Sequence, residues 1–159
     1  MSKEIPAYVA GHQLLAGKHI LITAAAGAGI GFSAAKRAVE EGAATLVISD
    51  IHQGRLEQAV ETLAALDSQC SVHGIVADVT NEQQVQHLVD EAERLSGGID
   101  VLINNAGLGG TCTLADMQDE AWNRVIDISL TGTMRMMRAM VRYMHPRGRG
   151  VIVNNASVL

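Results

Sequence analysis

Short runs of apolar residues alternate along the chain with longer stretches in which apolar positions recur at helical spacing. The apolar runs predict five β-strands, at residues 19–23, 44–49, 71–77, 100–104 and 150–154. The amphipathic stretches between them predict α-helices at about residues 29–42, 54–67, 81–96 and 119–144.

Alternating strands and helices indicate an α/β fold, in which right-handed crossovers build a doubly wound parallel sheet. Because the five runs are almost continuously apolar, we expect helices to cover both faces of the sheet and to bury every strand. No linker or low-complexity tract divides the chain. Residues 1–15 are predicted to be an N-terminal extension outside the sheet, and residues 16–159 to form one domain.

The composition is ordinary for a globular protein, with 48% hydrophobic and 18% charged residues. Cys70 and Cys112 are too few for a disulfide framework, which favours a reducing compartment. The chain has no apolar stretch of about 18 residues that could span a bilayer. Its start, MSKEIPAYVAGHQLL, lacks the apolar core of a signal peptide. These features predict a cytoplasmic protein with no membrane partner.

Charge is distributed unevenly along the chain, whose net charge is −5. No acidic residue follows Asp127, whereas five arginines do: Arg135, Arg138, Arg142, Arg147 and Arg149. A basic stretch can bind nucleic acid. The first three arginines, however, have helical spacing near a helix end, where cations complement the helix dipole. A solvated helix face or a subunit contact is therefore favoured over nucleic acid.

In a doubly wound sheet, ligands bind at the carboxyl ends of the strands, so the residues directly after each apolar run are candidates for a site. After the first run comes TAAAGAGIG, in which Gly27, Gly29, Ile30 and Gly31 lead into a predicted helix. A glycine-rich turn lets the backbone approach a pyrophosphate, which the N–H groups at the helix N-terminus can bind. The position between a strand and a helix favours phosphate binding over a bare tight turn.

The second apolar run ends in Asp50, 19 residues beyond Gly31. A carboxylate at about this spacing can accept both ribose hydroxyl groups of NAD and repel the 2′-phosphate of NADP. Arg55 is a nearby cation that weakens this preference. The alternative is a solvated aspartate that caps the next helix. Together with the glycine loop, Asp50 favours NAD as the cofactor.

The other strand ends also carry polar and small residues. The third is followed by Asp78 and Val79, and the fourth by Asn104-Asn105-Ala106-Gly107. The fifth leads into Asn154-Asn155-Ala156-Ser157, so VLINNAG and VIVNNAS repeat one pattern 50 residues apart. Asparagine at a strand end can clasp neighbouring loops, and small residues beside it leave room for a flat ligand. Both roles are compatible.

Taken together, these residues resemble the short-chain dehydrogenase/reductase family in order and spacing from about Leu15 onward. The resemblance is carried by the loop ending Gly29-Ile30-Gly31, Asp50, Asp78-Val79, Asn104-Asn105-Ala106-Gly107 and Ser157. It implies a Rossmann fold and hydride transfer between NAD(P) and a carbonyl or alcohol. It further implies adenine contacts from Asp78 and Val79, and a cofactor lining from Asn105, Ala106 and Gly107. Ser157 matches the family's catalytic serine, which hydrogen-bonds the substrate oxygen.

Two motifs depart from the family's pattern. The usual glycine loop is Thr-Gly-x-x-x-Gly-x-Gly, and counting back from Gly31 places Ala24 and Ala25 at its first two positions. If the first glycine needs a positive φ, alanine costs roughly 1 kcal/mol or more there, unless Gly27 takes the turn instead. The family's catalytic asparagine corresponds to Ser129, which is shorter and needs a bridging water in any relay. Alternatively, Ser129 is a helix hydroxyl bonded to the preceding turn.

The family's general acid/base is a tyrosine four residues before a lysine, about a dozen residues beyond the catalytic serine. Neither Tyr8 nor Tyr143 has a lysine at that spacing. We therefore expect the chain to be an N-terminal fragment that lacks the last strands and helices of the fold. Residues 150–154 would then be an apolar edge strand open to other chains. The chain alone is predicted to be inactive, and either poorly soluble or ordered only with a partner.

The leading functional hypothesis is an NAD-dependent oxidoreductase that interconverts a secondary alcohol and a ketone when intact. The alternative is a non-catalytic protein that binds or senses nucleotides. The motifs are most similar to bacterial members that handle 3-oxoacyl thioesters or steroid-derived acids, which implies a small-molecule substrate of that kind. In the family the long helix commonly joins a partner's copy, which implies a homo-oligomer. The histidines and cysteines show no metal-ligand spacing, so no metal is expected.

Overall fold

The computed structural model describes residues 7–109 and 112–156, which form a five-stranded sheet with helices on both faces. The strands are β1 (His19–Thr23), β2 (Thr45–Asp50), β3 (Ser71–Val76), β4 (Val101–Asn104) and β5 (Val151–Asn154). All neighbouring strands are parallel, and their order is β3-β2-β1-β4-β5. The predicted doubly wound α/β fold is confirmed.

In the described residues, five α-helices connect and cover the strands. They are α1 (Ile30–Glu40), α2 (Gln53–Ala64), α3 (Glu82–Ser96), α4 (Asp119–Ile126) and α5 (Gly132–Arg147), with a short 3₁₀ turn at Leu114–Asp116. The long helix predicted at 119–144 is present as one continuous helical run, in which the π-helical segment Asp127–Thr131 joins α4 to α5. Such segments interrupt the regular ladder of backbone hydrogen bonds and are frequent at functional sites. In the part of the chain that the structure describes, no helix is both long and apolar enough for a transmembrane span.

The core consists of two layers, one on each face of the sheet. Ile20 and Ile22 of β1 pack with α1 and α2, whereas Leu21 between them packs with α3 and α5. This alternation follows from the two-residue period of a strand, which directs successive side chains to opposite faces. Because β1 pairs in parallel with both β2 and β4, the carboxyl ends of these three strands lie side by side at one end of the sheet.

Burial differs sharply between the strands. All six residues of β2 are buried, whereas β3 buries only Ile75 and β5 buries none. The expectation that every apolar run is buried on both faces is therefore wrong for β3 and β5. Both are edge strands, each with one hydrogen-bonded neighbour, and edge positions leave side chains and backbone open to solvent.

The five arginines after Asp127 contact residues of the same chain. Arg138 and Arg142 of α5 bond to Glu82 and Gln86 of α3. The partly buried Arg147 pairs with Glu93 and also donates to the carbonyl oxygen of Ile99 at 2.9 Å. Arg135 pairs with Asp127, and Arg149 pairs with Asp100. The contacts of Arg138, Arg142 and Arg147 hold α5 against α3, a role that the sequence did not indicate.

Residues 7–15 lie against the C-terminal end of α1 through the buried carboxylate of Glu41. This carboxylate accepts hydrogen bonds from the backbone N–H groups of His12 and Leu14, at 2.7 Å and 3.1 Å. The donor at Leu14, followed by that at His12, holds the pKa of Glu41 below its ordinary value. Arg37, one turn earlier, also pairs with this carboxylate.

Candidate functional site

The carboxyl ends of β1, β2, β3 and β4 open into one cleft of about 880 Å³. Its walls include Ala24 after β1, Asp50 at the end of β2, Asp78 and Val79 after β3, and Ala106 and Gly107 after β4; Asn123, Arg124, Asp127 and Ile128 close the far side. The structure thus brings together at one cleft residues that lie far apart in the sequence.

The loop between β1 and α1 contains two residues with positive φ, Ala24 at 50° and Gly27 at 121°. The left-handed conformation falls on Ala24, one position before the alanine that stands for the family's first glycine. A non-glycine residue held there costs about 1–2 kcal/mol and persists only where the surroundings fix it. Gly29 is the N-cap of α1 and has no side-chain capping bond, so the N–H groups of the first helical turn are free to bind an anion.

Gly31 sits where the start of α1 passes closest to this loop. A Cβ atom added to Gly31 would lie 2.5 Å from the carbonyl oxygen of Ala24 and 2.5 Å from the Asn105 amide nitrogen. No such obstacle surrounds Gly27 or Gly29, where nothing lies within 4 Å of an added Cβ. Gly31 is therefore needed for packing, whereas Gly27 and Gly29 leave open space beside the helix N-terminus. Ile30 between the last two glycines begins α1 and is exposed.

Asp50 is the last residue of β2 and is only 9% exposed. One carboxylate oxygen accepts from the backbone N–H of Ala26 at 3.3 Å, and the other from that of His52 at 3.1 Å. Asp50 does not cap the following helix, because the N-cap of α2 is His52. Since a carboxylate offers about four acceptor positions, two remain for hydroxyl groups in the cleft. Arg55, from the first turn of α2, lines the same cleft.

Asp78 and Val79 form the adjoining wall of the cleft. Asp78 accepts hydrogen bonds from the backbone N–H and the hydroxyl of Thr80, at 2.8 Å and 2.7 Å. Val79 is buried and packs on the first residue of α5, since a Cβ on Gly132 would lie 2.7 Å from its side chain. The turn after β3 is thus fixed by its own contacts, and it presents an apolar surface beside a carboxylate.

Thr23 joins the ends of β1 and β4, and the sequence alone did not identify it. Its buried hydroxyl oxygen accepts from the backbone N–H groups of Asn105 and Ala106, both at 3.0 Å. In return the Asn105 side-chain amide donates to the carbonyl oxygens of Thr23 and Ala24, at 3.2 Å and 3.0 Å. Asn105 therefore holds the glycine loop, while Ala106 and Gly107 line the cleft.

Ser129 lies in the π-helical segment, where its hydroxyl contacts the loop after β4. It accepts from the backbone N–H of Leu108 at 3.1 Å and lies 3.5 Å from the Leu108 carbonyl oxygen. The interpretation of Ser129 as a hydroxyl bonded to the preceding helical turn is therefore wrong. Ser129 borders a second groove, beside Asn154 and Met137. Ser157, the other predicted catalytic residue, lies outside the described residues and stays a prediction.

The two tyrosines lie elsewhere. The Tyr143 hydroxyl, on α5, donates to the Asp90 carboxylate of α3 at 2.7 Å, and this bond raises the pKa of Tyr143 above its ordinary value. The Tyr8 hydroxyl donates to Glu40 at the end of α1. Neither residue is among those that line the cleft. In residues 7–109 and 112–156, no group of three or more His, Cys, Asp or Glu side chains is placed to hold a metal ion.

Comparisons with known proteins agree with this geometry. A family model described as short chain dehydrogenase matches residues 18–159. The chain is 51% identical over 156 residues to a reductase of Mycobacterium tuberculosis, named for a (5R,7aS)-5-hydroxy-7a-methyl-1-oxo-2,3,5,6,7,7a-hexahydro-1H-indene-carboxyl-CoA, and covers 58% of that relative's length with 97% of its own.

Solved structures show the same likeness. A short chain dehydrogenase from Mycobacterium smegmatis superposes with a TM-score of 0.91 at 49% identity, over 98% of this chain and 63% of that one. A xylitol dehydrogenase bound to NAD⁺ superposes with a TM-score of 0.85 at 34% identity, over 91% of this chain and 54% of that one. The chain thus spans between half and two thirds of the length of these relatives. The family expected from the sequence motifs is confirmed: the chain belongs to the short-chain dehydrogenases, a family of oxidoreductases.

Proposed function

We propose that the whole protein is an NAD(H)-dependent oxidoreductase that interconverts a secondary alcohol and a ketone. The observation that carries this proposal is the buried Asp50 carboxylate, which lies at the cleft beside the glycine loop. A bound nicotinamide cofactor would supply or accept the hydride. The residues of this chain would bind the cofactor, orient it and exclude water from it.

The glycine loop and α1 would bind the pyrophosphate of the cofactor. Gly27 and Gly29 leave space beside the start of α1, where free N–H groups and the positive end of the helix dipole attract an anion. The wall formed by Val79, Ile128 and Ala106 would contact the adenine, with Asp78 at its rim. The residues that the sequence predicts for the cofactor would thus act together at one cleft.

Asp50 would select NAD over NADP. Its two carboxylate oxygens already accept backbone N–H groups, which fixes their direction, and the remaining acceptor positions suit the two ribose hydroxyl groups. A 2′-phosphate at the same place would face a like charge. Arg55 lines the cleft close to Asp50 in sequence, but it is exposed, so solvent and salt screen its attraction for a phosphate. The NAD⁺-bound relative supports the same choice.

For the chemical step we propose that Ser157 hydrogen-bonds the substrate oxygen, as the family pattern implies. Ser129 would support the loop after β4 rather than move a proton, because its hydroxyl is engaged by Leu108. Neither tyrosine in residues 1–159 precedes a lysine at the family's spacing. We therefore expect residues 1–159 alone to bind cofactor without turning over substrate.

The substrate class we propose is an acyl thioester that carries a ketone or secondary alcohol on a ring system. The support is the name of the mycobacterial relative, a reductase of a bicyclic CoA thioester, at 51% identity. We also propose that the protein is cytoplasmic and that it assembles as a homo-oligomer. The competing function, a nucleotide-binding protein without turnover, has no specific observation in its favour.

The test is hydride transfer by the full-length protein. It should produce NADH from NAD⁺ with hydroxy-substituted ring-carboxyl CoA thioesters, and should do so more slowly with the free acids. Cofactor binding without production of NADH from any secondary alcohol would favour the non-catalytic alternative. Production of NADH only from simple sugar alcohols would refute the thioester assignment while leaving the oxidoreductase in place.

A further inference from the structure

Two asparagine pairs join the ends of β4 and β5, one residue apart and in register. Asn104 donates its side-chain amide to Asn154 at 2.9 Å, and Asn155 donates its amide to the side-chain oxygen of Asn105 at 2.9 Å. The backbone N–H of Asn155 also donates to the carbonyl oxygen of Asn104 at 2.9 Å. The repeated NNA of the sequence is therefore a physical contact.

The two pairs differ in what their β4 member holds. Asn104 is buried, and its side-chain oxygen has no hydrogen-bond partner in the described part of the chain. Asn105 instead donates to the carbonyl oxygens of Thr23 and Ala24 in the glycine loop. Only the Asn155–Asn105 pair is thus connected to the loop that would bind the pyrophosphate.

The direction of these hydrogen bonds is forced. Carbonyl oxygens can only accept, so the Asn105 amide nitrogen must face Thr23 and Ala24, and its oxygen must face Asn155. Asn155 then has to donate, so it holds the oxygen end of the Asn105 amide, whose nitrogen end is held by Thr23 and Ala24. That amide in turn holds the carbonyl oxygen of Ala24, the residue kept in the left-handed conformation at φ 50°.

We infer that Asn155 is a positioning residue for cofactor binding: it acts through Asn105 to fix the shape of the glycine loop from the neighbouring strand. The inference rests on the proposed cofactor site and assigns a further residue to it. Asn155 precedes Ser157 by two residues in the sequence. It therefore links the loop that would hold the cofactor to the segment that carries the predicted catalytic serine.

The test compares Asn155→Leu and Asn155→Asp with the matched variants Asn154→Leu and Asn154→Asp in the full-length protein. Dissociation constants for NADH are measured by its fluorescence, and thermal unfolding is followed for each variant. Asn155→Leu removes one hydrogen-bond donor and should weaken NADH binding about fivefold, and Asn155→Asp more, because it sets two acceptors against each other. Asn154→Leu should lower the unfolding temperature, since it strips the buried Asn104 of its partner, while the dissociation constant for NADH stays unchanged.

A double substitution separates this coupling from a general loss of structure. In an Asn105→Ala background, Asn155→Leu should weaken NADH binding no further, because its only route to the loop is already gone. Equal losses of affinity in the Asn154 and Asn155 variants, unchanged affinity in both Asn155 variants, or additive losses in the double variant would each overturn the inference. Failure of the unsubstituted protein to bind NADH would instead refute the proposed function, and the inference with it.

Discussion

Strands β2 and β5 both come from short apolar runs, but the folded chain buries every residue of β2 and none of β5. β2 lies between β1 and β3, whereas in the described residues β5 pairs with β4 alone. Val151 and Val153 of β5 remain 55% and 45% exposed. An apolar run therefore predicts a strand, while its burial depends on how many neighbours that strand has.

The difference extends to the candidate site. On the β1–β2 side, Asp50 is fixed by Ala26 and His52, and the glycine loop by Asn105. On the β5 side, Asn154 and Asn155 are exposed and contact mainly their partners on β4. The first side is thus organised by contacts from several loops, whereas the contacts described on the second side come mainly from one neighbouring strand.

The largest effect is expected from Gly29→Asp on the organised side. The position has φ −89° and open space around an added Cβ, and aspartate is a favourable N-cap, so the fold should persist. The new carboxylate would face the pyrophosphate, and two like charges about 4 Å apart near a protein surface repel by roughly 4 kcal/mol. NADH affinity should fall about a hundredfold or more in a fluorescence titration.

Gly31→Ala is the matched variant in the same loop: it tests steric crowding without adding a charge. Its Cβ would lie 2.5 Å from the Ala24 carbonyl oxygen, so this substitution should lower the unfolding temperature. If Gly29→Asp binds NADH with unchanged affinity, the glycine loop is not the phosphate site.

The next effect concerns Arg147, which holds α5 on α3. Arg147→Leu removes an ion pair with the largely buried Glu93 and a hydrogen bond to Ile99, so unfolding should become easier by about 2 kcal/mol. Arg94→Leu, at an exposed pair with Glu91, should change the free energy of unfolding much less, because solvent screens this pair. Denaturant titration measures both variants, and equal losses would show that burial of the pair does not matter.

A smaller effect should appear at the two edges of the sheet. Val151→Lys places a charge on the apolar β5 edge and should weaken self-association of residues 1–159 about fivefold, as expected when a half-exposed valine no longer becomes buried. Val76→Lys on the β3 edge should change association little, because Ser71 and His73 already make that strand polar. Sedimentation at several protein concentrations measures the self-association of both variants. Equal weakening by Val151→Lys and Val76→Lys would show that the two edges do not differ in this respect.

The smallest effect is a pH dependence at Glu41. Because the pKa of Glu41 is lowered in the folded chain, its contribution to stability is present above the ordinary glutamate value of 4.5 and is lost as the pH falls through the lowered pKa. As the pH is lowered below about 4.5, the free energy of unfolding of Glu41→Gln should therefore fall less steeply than that of the unsubstituted protein. Denaturant midpoints at a series of pH values test this, and parallel curves for both proteins would contradict it.

The strands, the parallel sheet and most of the residues that line the cleft could be predicted because they depend on local patterns. Apolar runs, glycine spacing and an acid after the second strand are all visible in short windows of sequence. Asp50 was identified in this way, and its position at the cleft follows from the parallel sheet itself.

What could not be predicted depends on contacts between distant residues. Thr23 and Asn105 are 82 positions apart, and Ser129 in the π-helical segment bonds to Leu108, which lies 21 positions earlier. The arginines of α5 find their partners on α3, more than 40 residues earlier in the chain. Hydroxyl, amide and guanidinium groups have many possible partners, so sequence spacing alone does not choose among them.

The proposed role of Asp50 is to select NAD over NADP, and a parallel titration of the full-length protein with NADH and NADPH measures this selection directly. We predict that NADH binds at least about tenfold more tightly, the range expected for a hydrogen bond to a charged group. Asp50→Asn should narrow the difference between the two dissociation constants, because it weakens the binding of NADH and removes the charge that repels the 2′-phosphate of NADPH. Tighter binding of NADPH than of NADH, or a ratio unchanged in Asp50→Asn, would contradict the assignment.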